Sequence, residues 1–317
     1  MLQYMIILLD DTSTSFCHYD GNKTGRRLIS LDHLRRGIRF AMVENLTIQM
    51  VYPDYELPAE YHEAINAIDH SDIVPSALGR DADVIVLGGW DAVPPSNGVA
   101  VIRTSLAHLL KHAATVGDWL ARLTRLNIVI TDVERMTEAD CDEYRAFLSQ
   151  VGTAIERLYV NGCSPQLNTL TDRMMLTAMN NCGAGDTCVT LAPNGKFYVC
   201  PAFYYENEQD CVGDLDTGLD IKNKQLYRLD HAPICRKCDA WQCRRCVWLN
   251  RKLTLEVNTP GHEQCVVAHL ERNASRELLQ RIRRQGTFLP DRPDIPEIDY
   301  LDPFEAMHNP QFTIHNS

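Results

Sequence analysis

The stretch Cys235-Arg236-Lys237-Cys238-Asp239-Ala240-Trp241-Gln242-Cys243-Arg244-Arg245-Cys246 packs four thiols into twelve residues. Free thiols at that density would oxidise or cross-link, so a metal ion or an iron–sulfur cluster is the expected occupant. Outward from the run, Cys182-x5-Cys188-x11-Cys200 precedes it, Cys265 follows it, and Cys211 lies in the gap. Eight closely spaced thiolates fit two four-ligand sites. Paired zinc knuckles usually keep their Cys-x2-Cys elements well separated, whereas here only four residues intervene. A compact run whose last cysteine serves a different cluster is a ferredoxin-like device. The spacing favours iron–sulfur and leaves zinc open.

The 317 residues contain 12 cysteines, of which only Cys17, Cys141 and Cys163 precede residue 180. This asymmetry divides the chain. We expect a first part over residues 1–180, a cysteine-rich domain over 181–271, and a helix with a proline-rich acidic tail over 272–317. Apolar residues make up 45% of the chain, enough for a substantial core. A formal net charge of −11 argues against sequence-independent nucleic-acid binding. No apolar run approaches the roughly 20 residues of a membrane span. Met5–Leu9 lacks a basic flank and a cleavage site and leads straight into Asp10 and Asp11, so it reads as a buried strand, not a signal peptide. A cytoplasmic location is expected, and with it reduced thiols, not disulfides.

In the first part short apolar strands alternate with helices. Strands are expected at Met5–Leu9, Thr47–Val51, Asp83–Leu87, Val99–Ile102, Ile128–Ile130 and Arg157–Val160. Helices are expected at Leu31–Glu44, at Leu106–Leu123, and from a Thr137 cap to Glu156. This is an α/β pattern, a parallel sheet or a partial βα barrel, whose sites gather at strand C-terminal ends. Those ends carry Asp10, Asp11, Gly88, Gly89, Trp90 and Asp132. Pro193-Asn194-Gly195 predicts a hairpin between Val189–Ala192 and Lys196–Val199 that brings Cys188 near Cys200. A helix is expected near Ala268–Arg284, and a docking or disordered tail after Phe288.

The cysteine-rich region resembles a SPASM domain, the twin auxiliary-cluster module of radical SAM enzymes that modify peptides and sulfatases. Gly195-x4-Cys200 fits the pattern, and the later run differs slightly, with x4 and x2 in place of the more frequent x5 and x3. The resemblance implies one [4Fe-4S] cluster on Cys182, Cys188, Cys200 and Cys246. It implies a second on Cys235, Cys238, Cys243 and Cys265. It also implies that the first part is a radical SAM-like partial barrel. Radical SAM chemistry requires a Cys-x3-Cys-x2-Cys loop after the first strand, and here only Cys17 stands there. Gly88-Gly89-Trp90-Asp91 stands where a Gly-Gly-Glu-Pro motif would, without the Glu-Pro. SAM cleavage at that site is not expected.

Ile6-Ile7-Leu8-Leu9-Asp10-Asp11-Thr12-Ser13-Thr14-Ser15-Phe16-Cys17-His18-Tyr19, Cys243-Arg-Arg-Cys246-Val-Trp-Leu-Asn250 and Glu263-Gln264-Cys265 are similar to the CXXX repeat peptide maturase family. That likeness implies an accessory maturase for a ribosomally made peptide, with a Cys-x-x-x repeat precursor and a true radical SAM enzyme as partners. Rival readings are a stand-alone iron–sulfur redox enzyme and a structural zinc-binding interaction module. Arg236, Lys237, Arg244, Arg245, Arg251 and Lys252 form a solvated basic face, compensate an anionic cluster, or anchor peptide carboxylates. Trp241 and Trp248 are read as shielding the clusters. Cys141 and Cys163 are read as structural. His262 and His269 are candidates for hydrogen-bonding metal ligands, against a plain packing role.

Overall fold

The structure, a computed structural model, describes residues 2–18, 23, 25–179, 181–291 and 294–295. A nine-stranded sheet forms its backbone, in the order β7-β6-β5-β4-β3-β2-β1-β8-β9. The strands are β1 Tyr4–Leu8, β2 Thr47–Val51, β3 Ser71–Pro75, β4 Val84–Leu87, β5 Val99–Thr104, β6 Arg125–Ile130, β7 Gln166–Leu167, β8 Cys188–Leu191 and β9 Phe197–Tyr198. Strands β1 to β8 pair in parallel and only β9 runs antiparallel. The sheet has two free ends, so it is an open barrel.

Helices fill the connections: α1 Leu31–Val43, α2 Ala59–Asn66, α3 Leu106–Leu110, α4 Ala113–Leu120, α5 Glu138–Val160 and α6 Asp172–Met175. The cysteine-rich region adds α7 Pro201–Glu206, a two-stranded ribbon (β10 Gly213–Asp214, β11 Gly218–Leu219), α8 Val247–Thr254 and α9 His262–Gln285. Strands covered on both faces carry unbroken apolar runs, and β1 shows why. Met5, Ile7 and Leu9 point to the helical layer, while Ile6 and Leu8 point to the other face. That second face packs Val51, Ile73, Val86 and Val101 against Cys182, Cys188, Cys200, Phe203, Tyr204 and Val247. The concave side of the barrel is therefore closed by the cysteine-rich region.

The hairpin forms as expected, with Thr190 opposite Tyr198 and Leu191 opposite Phe197. Gly195 turns it at φ +77°, and a Cβ there would lie 2.6 Å from the His33 ring. Through β8 this hairpin joins the main sheet beside β1, with Tyr4 opposite Cys188.

Three expectations need correction. Arg157–Val160 is not a strand. It completes α5, whose buried face of Tyr144, Phe147, Leu148, Val151, Ile155 and Tyr159 keeps helical spacing until Asn161 caps it. The helix expected at Leu106–Leu123 is two. Lys111 N–H and His112 Nδ1 both hydrogen-bond the His108 carbonyl, at 3.2 and 2.7 Å, and the chain restarts at Ala113. Helix α2 and strand β3 were not foreseen, because Ser71 and Asp72 break the apolar run of β3. The expectation for the tail falls largely outside the described residues. Among the described residues, no helix is long and apolar enough to cross a membrane.

Candidate metal centres

The polar residues at the strand ends are turned to structural use. Asp10 folds the chain after β1 into a tight turn. Its carboxylate accepts from Thr12 N–H at 2.8 Å, Thr12 Oγ1 at 2.6 Å and Tyr55 Oη at 2.9 Å. Asp11 accepts from Tyr204 Oη and from Arg27 Nε, the latter at 3.2 Å. Arg27 is clamped in turn by Glu208, whose carboxyl is held down to about 2 chiefly by the Arg27 hydrogen bond. Asp132 accepts from Leu106 N–H at 2.9 Å, at the start of α3. Trp90 donates to Thr104 Oγ1 at 3.2 Å and stacks between His112 and Trp119. The loop after β1 then crosses the neighbouring strand ends. The Cys17 carbonyl accepts from Arg103 Nε at 2.7 Å and His18 Nδ1 bonds the Ile130 carbonyl at 3.2 Å. Gly88 N–H donates to Ser76 Oγ at 3.1 Å.

The cysteines stand in a different environment. All twelve are free. Cys182, Cys188 and Cys200 pack on the second face of the sheet, and Cys188, Cys200 and Cys246 each lie within electrostatic reach of Cys182. The loop from Asn181 to Cys188 makes this possible. Its Gly183 has φ +69°, and a Cβ there would lie 2.0 Å from Thr187 Oγ1. Tyr4 Oη bonds the Cys182 carbonyl and also reaches Cys188. Cys200 lies at the start of α7 and Cys246 at the start of α8. Cys17 joins this neighbourhood from the β1 loop, close to Cys182 and Cys246.

Cys235, Cys238, Cys243 and Cys265 line one cavity with Met179, Ile234, Arg245, Pro260, Gln264, Ala268 and His269. Cys235 sits in a single turn of 3-10 helix, Cys235–Lys237. Cys265 lies in the first turn of α9, and His269 follows one turn later on the same face. His269 Nε2 is 3.7 Å from Cys238 Sγ. Asp239 is buried and binds Arg272 at 2.9 Å. Cys238, Asp239 and His269 offer ligand atoms within 4.8 Å of one another.

Burial pushes these thiols up, and neighbouring thiols push them further. Cys235 rises to about 11 and Cys246 to about 12, while Cys188, Cys200 and Cys243 also rise. Backbone N–H groups nevertheless point at the sulfurs. Ala240 N–H lies 3.4 Å from Cys238 Sγ, and Leu249 N–H 3.4 Å from Cys246 Sγ. Arg245 N–H serves Cys243, and Ala202 and Phe203 N–H serve Cys200. Buried sulfurs that repel one another as thiolates, yet receive N–H donors, fit a metal centre, since the cation removes the repulsion. Both a four-thiolate zinc site and an iron–sulfur cluster satisfy that donor set.

The basic residues of the run separate. Arg236, Lys237 and Arg244 are exposed, Arg244 lying 3.8 Å from Asp172. Arg251 pairs with Glu206 at 2.5 Å and Asp210 at 2.8 Å, and Lys252 with Glu134 at 3.6 Å. Only Arg245 is buried. Trp248 is half-buried and donates to Glu206 at 3.0 Å. Trp241 is half-buried, Cys141 packs on the core from α5, and Cys163 is exposed. Cys211 packs beside the concave-face cluster near Tyr198. Sequence reasoning missed Tyr4, and nothing in β1 marks it. It gave His269 too little weight, although its i,i+4 spacing from Cys265 was legible.

No known family's profile matches the chain, and no curated protein matches it. Solved structures do. Native anSMEcpe with bound AdoMet superposes with a TM-score of 0.58 at 11% identity, covering 88% of this chain and 99% of that one. The fold is that of a radical SAM-like partial barrel. The same relative with AdoMet and the Cp18Cys peptide gives 0.57 at 11% identity, over 89% and 99% of the two chains. Streptococcus suis SuiB bound to its precursor peptide SuiA gives 0.49 at 11%, over 83% and 76%. At these identities the likeness fixes the fold.

Proposed function

We propose that this chain is an accessory maturase for a ribosomally synthesised peptide, carrying two [4Fe-4S] clusters that it holds through eight cysteines. Cys182, Cys188, Cys200 and Cys246 hold one, and Cys235, Cys238, Cys243 and Cys265 the other. Iron–sulfur clusters supply one-electron redox chemistry when bound. The observation that carries the reading is two separate groups of thiols, one packed around Cys188 on the face of β1 that carries Ile6 and Leu8, the other lining a cavity beside α9. The loop after β1 holds Cys17 as its one thiol, and its two aspartates are committed to Thr12, Tyr55, Tyr204 and Arg27. Three thiolates for a SAM-binding cluster are therefore lacking there, and SAM cleavage falls to a partner radical SAM enzyme. A peptide client is supported by the relative solved with Cp18Cys peptide, and its Cys-x-x-x repeats by the resemblance to the CXXX repeat maturases. The chain, purified anaerobically and given SAM and dithionite, is expected to form no 5′-deoxyadenosine alone and to retain a Cys-x-x-x repeat precursor on a column. Formation of 5′-deoxyadenosine by this chain alone would overturn the accessory role.

One observation favours a second reading. His269 beside Cys238 offers a mixed nitrogen and sulfur donor set, as in Cys3His zinc sites. On that reading the chain is a zinc-binding interaction module.

A further inference from the structure

Arg245 is the largest fully buried side chain among the described residues, 1% exposed. A buried charge is retained only where something compensates it. No carboxylate forms an ion pair with Arg245 among the described residues. Its Nη1 and Nη2 donate to the carbonyls of Arg228, at 3.2 Å, and Tyr227. Its Nε is buried with no hydrogen-bond partner. The guanidinium lines the cavity of Cys235, Cys238, Cys243 and Cys265, and it also feels Cys182 of the other group. In sequence it stands between Cys243 of one group and Cys246 of the other. Its backbone is held at φ +39°, a left-handed conformation unfavourable for a non-glycine residue, while its N–H serves the Cys243 sulfur. One residue thus shapes the turn between the two groups and places a cation between them. Two neutral carbonyls, and an Asp186 carboxylate that lies beyond ion-pair distance, compensate this buried charge only in part. An anionic thiolate-held centre on either side completes the compensation.

We propose that Arg245 is a shared fixed cation between the two centres, raising the reduction potential of both. The proposal rests on the reading above that the cysteines hold iron–sulfur clusters. One-electron reduction adds a negative charge to a centre, and a buried cation nearby favours the reduced form. Exposed Arg244, screened by water and facing Asp172, lacks this effect and serves as the control.

The test uses the full chain purified anaerobically, with iron and sulfide quantified and each centre titrated with dithionite through redox dyes under EPR. Arg245→Met is expected to keep iron and to make both midpoint potentials more negative. The expected size is at least tenfold in the reduction equilibrium, about 59 mV for one electron. Arg245→Lys keeps the charge and stays near the wild type, and Arg244→Met is unchanged. Arg245→Gln keeps a donor for the carbonyls without the charge, and it is expected to shift as Met does. If Met does not accumulate as folded protein, the Lys and Gln pair carries the comparison. Gln and Lys at the same potential, or Met at the wild-type potentials with iron intact, overturns the proposal alone. Zinc in place of iron in the wild-type chain overturns both the functional reading and this proposal.

Discussion

The strand ends and the cysteine-rich region are both crowded with ionisable groups, and they handle them in opposite ways. At the strand ends, Asp10, Asp11 and Asp132 each accept from named donors within the chain. Around the cysteines, thiols raise one another's pKa, and Arg245 Nε, Gln242 Oε1 and Gln264 Oε1 are buried without partners. Buried polar groups are almost always paired in a finished structure. The three strand-end carboxylates are paired within the chain, whereas the cysteine-rich region keeps several buried polar atoms unpartnered.

That contrast breaks first on the cysteines. Replacing Cys235 and Cys243 together by Ala is expected to remove about half the iron of the anaerobic protein, by the four-per-cluster stoichiometry. It is also expected to lower stability sharply, because metal binding contributes to folding. Replacing Cys188 and Cys200 removes the other half. Loss of all iron in either pair would mean one joint site.

Asp11→Ala has the opposite signature. Leaving Tyr204 Oη without its acceptor, and Arg27 with Glu208 alone, is expected to cost about 2 kcal/mol in urea unfolding, with iron per folded chain unchanged. Iron loss on the scale of the cysteine pairs would erase the distinction between the regions.

Glu271 links them. It lies on α9, accepts from Tyr144 Oη at 2.9 Å and Gln242 Nε2 at 3.4 Å, and burial pushes its carboxyl from 4.5 up to about 7. A carboxyl raised in the folded state binds its proton there more tightly than in the unfolded chain. Its contribution is present below about pH 4.5 and is lost as pH rises to about 7. Glu271→Gln is expected to flatten the stability–pH curve in that window by about 3 kcal/mol, as read by urea titrations at several pH values. An unchanged slope would place the titration elsewhere.

The smallest effect lies at the exposed start of α5. Thr137 and Asp140 form a reciprocal capping box at the start of α5. Thr137→Ala is expected to cost about 1 kcal/mol, with iron content and potentials unaltered.

Legibility in the sequence follows the same division. Strands β1, β4 and β5 were readable because burial on both faces leaves apolar runs, and β2 from Ile48, Met50 and Val51 before Pro53. The hairpin was readable from Asn194-Gly195, though not its place beside β1, which depends on long-range pairing. The end of α5 was misread, because Leu158-Tyr159-Val160 is apolar enough for a strand and only packing continues the helix. The crowding of cysteines after residue 180 was legible from spacing, whereas their division into two sets came from the SPASM resemblance. Tyr4 and Arg245 were not legible, since one tyrosine in an apolar strand, or one arginine among six basic residues, gains its meaning only from what surrounds it.

The central claim is that eight cysteines hold two iron–sulfur clusters. Quantifying iron, acid-labile sulfide and zinc in the anaerobically purified full chain tests it most directly. About eight iron and eight sulfide per chain, with absorbance near roughly 400 nm, is the result expected for two such clusters. Stoichiometric zinc, without sulfide and without that absorbance, would contradict it.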